Sequence, residues 1–255
     1  MIFCIDIGNT NIVLGVADGD KILEHWRIKT EKHITADELS VKIDGLFRLS
    51  HLDKKDITEI IISSVVPPLL NILEVFCLSY FNIKPLIVSS GINLGMPVKY
   101  DDPESVGLDR VVNAIAAYNK YREGLIVVDF GTATTFDCVS DKGEYLGGVI
   151  VPGIRISIDA LFDKTSKLPR VETFNKPENV IAQDTVSSMN AGIIYGYAAL
   201  VDGIVTRMWK EMGNQTKVIS TGGLASVIFE ESDTIDYIEE FLTLKGLILI
   251  CERNR

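Results

Sequence analysis

Two short stretches of this sequence carry the same chemical text. Asp6-Ile7-Gly8-Asn9-Thr10-Asn11 follows an apolar run at 2–5, and Asp129-Phe130-Gly131-Thr132-Ala133-Thr134 follows another at 125–128. Each sets a carboxylate at the end of a strand-like run, two positions before a glycine. Glycine lets the backbone turn tightly, so that its N–H groups can approach an anion. The hydroxyls of Thr10, Thr132, Thr134 and Thr135 add donors around the same points. Carboxylates beside a phosphate cradle make sense only where a cation is shared with the phosphate, so Asp6 or Asp129 implies Mg²⁺ or a monovalent ion. A single Asp-x-Gly is common turn chemistry. Two copies, 123 residues apart in a chain of 255, point to phosphate binding.

The elements around each copy repeat as well. A second apolar run follows each (12–17 and 136–139), then a polar turn (Asp18-Gly19-Asp20 and Asp141-Lys142-Gly143), then a third run (22–28 and 145–151). That pattern predicts a hairpin extended to a three-strand meander. The offset of 123 maps Gly8 onto Gly131 and Val16 onto Val139. Beyond the first meander the spacing predicts a helix over 35–50, a strand over 57–65, a helix over 69–80 after Pro67-Pro68, and a short strand over 85–88. Beyond the second it predicts helices near 154–162 and 189–211, a strand over 217–220, a short helix after Gly222-Gly223 and a last helix over 238–252. The stretch 163–184 lacks periodicity and is expected to be a functional loop. The whole is a duplicated α/β protein, each half a mixed sheet with a three-strand antiparallel meander and flanking helices. The first half, 1–105, would hold the first phosphate loop. The second, 106–255, would hold the other loop and most of the remaining chemistry.

Composition narrows the function. Twenty-five Lys+Arg against thirty-five Asp+Glu give a net charge of −10. An acidic chain without a basic cluster is a poor nucleic-acid binder, because phosphate backbones need cations to replace their counterions. No run of about 18 apolar residues exists to cross a membrane, and the opening lacks the positive region of a signal peptide. Cys4, Cys77, Cys138 and Cys251 are far apart and form no CxxC pair, so buried reduced thiols in a cytoplasmic protein are expected. His25, His33 and His51 are scattered, which argues against zinc.

The paired Asp-x-Gly hairpins in a duplicated frame resemble the acetate kinase/sugar kinase/Hsp70/actin superfamily. The resemblance implies two ribonuclease H-like, actin-like ATPase domains whose facing loops grip the phosphates of ATP. Asp6, Ile7, Gly8, Asn9, Thr10 and Asn11 would form one loop, Gly131 and Thr132 part of the other. Ser220-Thr221-Gly222-Gly223, at a strand-to-helix turn, fits the element that takes the adenosine side. Gly107-Leu108-Asp109-Arg110, preceded by Tyr100, sharpens the match: across essentially the whole chain the sequence resembles the type III pantothenate kinases. That resemblance implies ATP-dependent phosphorylation of pantothenate to 4'-phosphopantothenate, the first step towards coenzyme A. It makes Asp109 the catalytic base and assigns Tyr100, Gly107, Leu108, Asp109 and Arg110 to substrate binding. Thr185, in the loop before the long helix, would also reach the substrate. Asp129 would hold K⁺ or NH₄⁺, and Asp6 is a candidate Mg²⁺ ligand. A cytoplasmic homodimer is implied too.

Taken alone, Asp109-Arg110 reads as a helix-start ion pair, because an apolar-periodic helix (111–121) follows at once. The rival function is a nucleotide-binding regulatory or accessory protein on the same fold without turnover. Such a protein could lose Asp109 or Arg110 while keeping Asp6 and Asp129; this sequence keeps all four. A phosphotransferase for another small hydroxyl substrate, or a phosphatase, is a weaker rival, since fold does not dictate function.

Overall fold

The computed structural model describes residues 1–171 and 174–255, in two compact units: 1–116 with 241–255, and 117–240. In the first, β1 (Ile2–Ile7), β2 (Asn11–Asp18) and β3 (Lys21–Lys29) form the antiparallel meander. Alternation then sorts the strands' two faces. Phe3, Ile5 and Ile7 of β1 point into a core with Ile60 and Ile62 of β4 (Glu59–Ser64). That core is covered by α1 (Ala36–Leu49) and α2 (Pro67–Phe76), through Leu39, Ile43, Leu69 and Leu73 among others. α1 opens on a capping box in which Thr35 and Glu38 bond reciprocally. α2 starts at the paired prolines, whose missing N–H groups leave nothing unsatisfied at a helix start. The short β5 (Leu86–Ile87) completes a sheet of order β3-β2-β1-β4-β5, and α3 (Leu108–Tyr121) follows.

The second unit repeats the plan with β6 (Leu125–Phe130), β7 (Ala133–Val139) and β8 (Tyr145–Pro152). Next come α4 (Ile154–Lys164), α5 (Thr185–Met212), β9 (Lys217–Thr221), α6 (Ala225–Phe229) and β10 (Tyr237–Ile238). Its sheet runs β8-β7-β6-β9-β10, the order of the first sheet element for element. The duplication expected from the repeat is therefore present in the backbone, in line with the ribonuclease H-like plan that the resemblance implies. A last helix, α7 (Leu242–Arg253), returns to the first unit and covers the sheet face opposite α1 and α2. The approach is close enough to need glycine. A Cβ on Gly15 would sit 2.8 Å from a Leu244 methyl, and one on Gly246 would sit 2.3 Å from the Val112 carbonyl.

Several expectations shift. The units divide the chain differently from 1–105 and 106–255, because α7 packs on the first sheet and residues 106–116 fall in the same unit. Residues 237–238 form an edge strand beside β9 instead of opening the last helix, and the Glu239 N–H donates to the Ser220 carbonyl at 2.8 Å. The offset of 123 holds along the first strands but slips to 122 in the second. Ile2 pairs with Ala17 and Leu125 with Val139, so Val139 answers Ala17, and Val16 answers Cys138. The second hairpin is one residue shorter, and each meander breaks register at the matching point, Val16/Ala17 and Cys138/Val139. All four cysteines are buried and unbridged, as expected.

Candidate functional site

The first Asp-x-Gly hairpin caps β1 and β2. Asp6 is half-buried at the strand end, and Asn9 and Thr10 are exposed at the tip. The turn closes on itself, the Gly8 N–H donating to the Asn11 carbonyl at 3.0 Å. A Cβ on Gly8 would meet that carbonyl at 3.1 Å, tight but not prohibitive. The hairpin is braced from the end of β3 by Thr30, which the sequence reading passed over. Its hydroxyl donates to the Gly8 carbonyl at 2.7 Å and its N–H to the Thr10 carbonyl at 3.0 Å. Two carbonyls of the loop are thereby drawn to Thr30.

In the second unit Asp129 is the penultimate residue of β6, again half-buried, with Gly131 and Thr132 exposed beyond the strand. Thr221 stands opposite Asp129 in the parallel β6–β9 pair. The next residue, Gly222, has φ +93°, and a Cβ there would lie 2.5 Å from Asp129 Oδ1 and 2.7 Å from the Phe130 backbone. The strand-to-helix turn at Thr221-Gly222-Gly223 and the second hairpin therefore share one point, the Asp129 carboxylate. Gly153 abuts the same hairpin: its Cβ would fall 2.0 Å from the Thr132 carbonyl. Gly153 is also the N-cap of α4, so that helix begins against the phosphate-type loop, where its partial positive end favours anions. Beneath the loop, Asp137 is fully buried and accepts from Thr135 Oγ1 at 3.1 Å and from the Tyr145 hydroxyl at 2.7 Å. Thr30 and Gly153 each follow the third strand of a meander by one residue. The signal that could have found them was the repeat itself, followed one element further.

Asp109 and Arg110 lie in the first turn of α3, which starts three residues earlier than the periodicity suggested. The Asp109 carboxylate folds back on the helix start: Oδ1 accepts from the Arg110 N–H at 2.9 Å. A Cβ on Gly107 would press on that same oxygen at 2.7 Å, so glycine leaves room for the folded-back carboxylate. Arg110 is 7% exposed, Tyr100 39%. Thr185 is the first residue of α5 and not part of a preceding loop, and it is exposed. Asp184 caps that helix, accepting from the Ser187 N–H at 2.9 Å, and this bond holds its carboxyl below the usual range. Of the residues singled out, Asp6–Asn11, Tyr100 and Gly107–Arg110 belong to the first unit. Asp129, Gly131, Thr132, Thr185 and Thr221–Gly223 belong to the second.

Among the described residues no group of three or more His, Cys, Asp or Glu side chains could hold a metal ion. A cation at either hairpin would have to take most of its ligands from phosphate and water, as Mg²⁺ commonly does. No described helix is long and apolar enough to cross a membrane.

A family model described as type III pantothenate kinase matches residues 2–207. The chain is 57% identical to the type III pantothenate kinase of Syntrophobacter fumaroxidans over 255 residues, 100% of this chain and 99% of that one. It is 58% identical to that of Syntrophus aciditrophicus over 254 residues, 100% of each. A crystal structure from Campylobacter jejuni, of the Baf family of transcriptional activators, is similar with a TM-score of 0.61 at 19% identity, covering 99% of this chain and 98% of that one. A ROK family glucokinase from Streptomyces griseus, solved with glucose and AMPPNP, is similar with a TM-score of 0.54 at 10% identity, covering 98% of each. At such identities the two crystal structures speak for the fold alone.

Proposed function

The chain belongs to the type III pantothenate kinase family, and we propose that it transfers the γ-phosphoryl group of ATP to the primary hydroxyl of pantothenate. The products are 4'-phosphopantothenate and ADP, at the entry to coenzyme A synthesis. The observation that carries this reading is similarity above half identity to proteins of that name along the whole chain.

Phosphoryl transfer asks a protein chiefly for positioning and charge stabilisation. The two hairpins, Asp6–Asn11 and Asp129–Thr132, hold the phosphates through backbone N–H groups, and Thr221-Gly222-Gly223 takes the adenosine side. Arg110 clamps the pantothenate carboxylate with its planar fork, a geometry lysine would not reproduce. Tyr100, Gly107, Leu108 and Thr185 complete the substrate's surroundings. As the substrate oxygen bonds to the γ-phosphorus, the bond to the ADP oxygen breaks and the hydroxyl proton passes to Asp109. Asp109 is supported in that role by its anchored position at the head of α3, where Gly107 leaves its carboxylate room.

Mg²⁺ bound with ATP would offset the phosphate charge, with Asp6 as its protein ligand. Asp129 suits a monovalent cation, K⁺ or NH₄⁺: its carboxylate is half-buried beside the exposed Gly131 and Thr132 of the second hairpin. A homodimer is supported by exposed apolar side chains in the second unit, among them Ile150, Phe162, Ile181 and Val186. Four buried, unbridged cysteines support a cytoplasmic setting.

The test is ADP release with pantothenate, ATP, Mg²⁺ and K⁺, beside the same mixture lacking pantothenate. Pantothenate-dependent release, reduced at least about a hundredfold in Asp109→Asn with ATP binding retained, is expected. Equal release in both mixtures would replace the reading with an ATPase. Near wild-type turnover in the variant would remove Asp109 as the base.

A further inference from the structure

Ser63 is the penultimate residue of β4 and stands directly opposite Asp6 in the parallel β1–β4 pair. The neighbouring pair, Ile5 and Ile62, points into the core under α1 and α2. Strand alternation therefore turns Asp6 and Ser63 together to the opposite face. Ser63 is 0% exposed, and its Oγ has no hydrogen-bond partner among the described residues. A buried hydroxyl left unpaired disfavours folding, and alanine at this position would avoid the penalty. The chain nevertheless carries a hydroxyl beside the carboxylate of its first hairpin.

The duplication repeats that placement. β9 occupies in the second sheet the place β4 holds in the first, and its register sets Thr221 opposite Asp129 just as Ser63 stands opposite Asp6. Each half thus pairs its hairpin aspartate with a hydroxyl on the next parallel strand. Thr221 was legible because Gly222-Gly223 follows it. Ser63 is followed by Ser64, Val65 and Val66, which carry no such signature.

We propose that Ser63 is a positioning residue for the nucleotide-bound Mg²⁺: with Asp6, its hydroxyl holds a water of the ion's hydration shell. This rests on the reading of Asp6 as the Mg²⁺ side of the site. A hydrated ion beside one carboxylate and a hydroxyl matches the way Mg²⁺ is usually held, with waters retained and few protein ligands. The unpaired Oγ is the group that such a water would satisfy. Outer ligands of this kind typically contribute tenfold to a hundredfold in metal affinity.

The experiment is calorimetric binding of ADP to the full-length protein, with Mg²⁺ and with EDTA, for wild type, Ser63→Ala, Ser63→Thr and Asp6→Asn. Ser63→Ala should weaken Mg²⁺-ADP binding about tenfold and leave metal-free ADP binding unchanged. Ser63→Thr, which copies the second half, should restore most of the loss. The thermal midpoint of Ser63→Ala should stay level or rise, since an unpaired buried hydroxyl has been removed. Equal weakening in Mg²⁺ and in EDTA, no weakening at all, or a fall in the midpoint would overturn the proposal. Asp6→Asn separates the two layers. If it abolishes the Mg²⁺ preference while Ser63→Ala does not, only the role of Ser63 fails. If Asp6→Asn keeps the preference, the reading of Asp6 fails with it.

Discussion

The two Asp-x-Gly hairpins start from one sequence pattern and are held in different ways. The first, across residues 8–11, is braced by a side chain, the Thr30 hydroxyl bonding the Gly8 carbonyl. The second, across 131–133, is one residue shorter and is braced by bare backbone, with Gly153 and Gly222 packed where any side chain would collide. In the first unit the chain runs on past Thr30 to the capping box at Thr35 before a helix begins. In the second a helix begins at Gly153 itself. A hydrogen-bonded brace yields to substitution, whereas a backbone contact without room for a methyl does not. The copies have thus diverged towards one adaptable loop and one rigid loop.

Glycine substitutions would break or sharpen that contrast most strongly. Gly222→Ala should destabilise the protein by about 3 kcal/mol, from overpacking at a left-handed residue, and lower turnover with it. Gly8→Ala should cost about 1 kcal/mol, since its one close neighbour is a loop carbonyl at 3.1 Å. Denaturant unfolding of both variants measures the gap; equal losses would erase the distinction between the loops. Next in size, Asp129→Asn should blunt activation by K⁺ or NH₄⁺ about tenfold while Asp6→Asn leaves the monovalent titration in place. An unchanged titration in Asp129→Asn would count against a cation there. Thr30→Val should raise the KM for ATP severalfold at nearly constant kcat, for a loss of about 1 kcal/mol in the brace. A fall in kcat alone would mean that Thr30 does more than shape the loop.

The smallest effect concerns the end of α7. Arg255 bonds Glu59 through Nε and Nη2, and this guanidinium holds the Glu59 carboxyl below its usual range. A carboxyl whose folded pKa is depressed stabilises the fold above its unfolded pKa and loses that contribution as pH falls through the folded value. Arg255→Ala should therefore lower the Tm by roughly 1–2 °C at neutral pH, a difference that disappears in acid. Parallel melting curves across the acid range would reveal a persistent gap, which would reassign the effect to packing.

Much of this was legible in the residues. The Asp-x-Gly pair, the meanders and the alternating helices and strands were visible because hydrophobic period and turn chemistry are local signals. What escaped depended on register or on distant packing. The slip of one residue between the hairpins hid behind an offset that the first strands and both glycines obey. β10 has two residues, and its apolar content merged with the helix that follows. Thr30 and Gly153 act through contacts across a hairpin, which no window along the chain reports. Asp109 and Arg110 were named on resemblance; their position in the first turn of α3 matches the helix start of the plainer reading.

The return of α7 has a consequence for the order in which the molecule is made. Residues 117–240 are contiguous, so everything the second unit needs leaves the ribosome in one stretch. The first unit must wait. Its leading strands emerge first, yet the face bearing Cys4 and Gly15 stays uncovered until residues 241–255 arrive. During synthesis the oldest part of the chain is thus the last to mature, and its bare sheet is the surface most in need of a chaperone's protection.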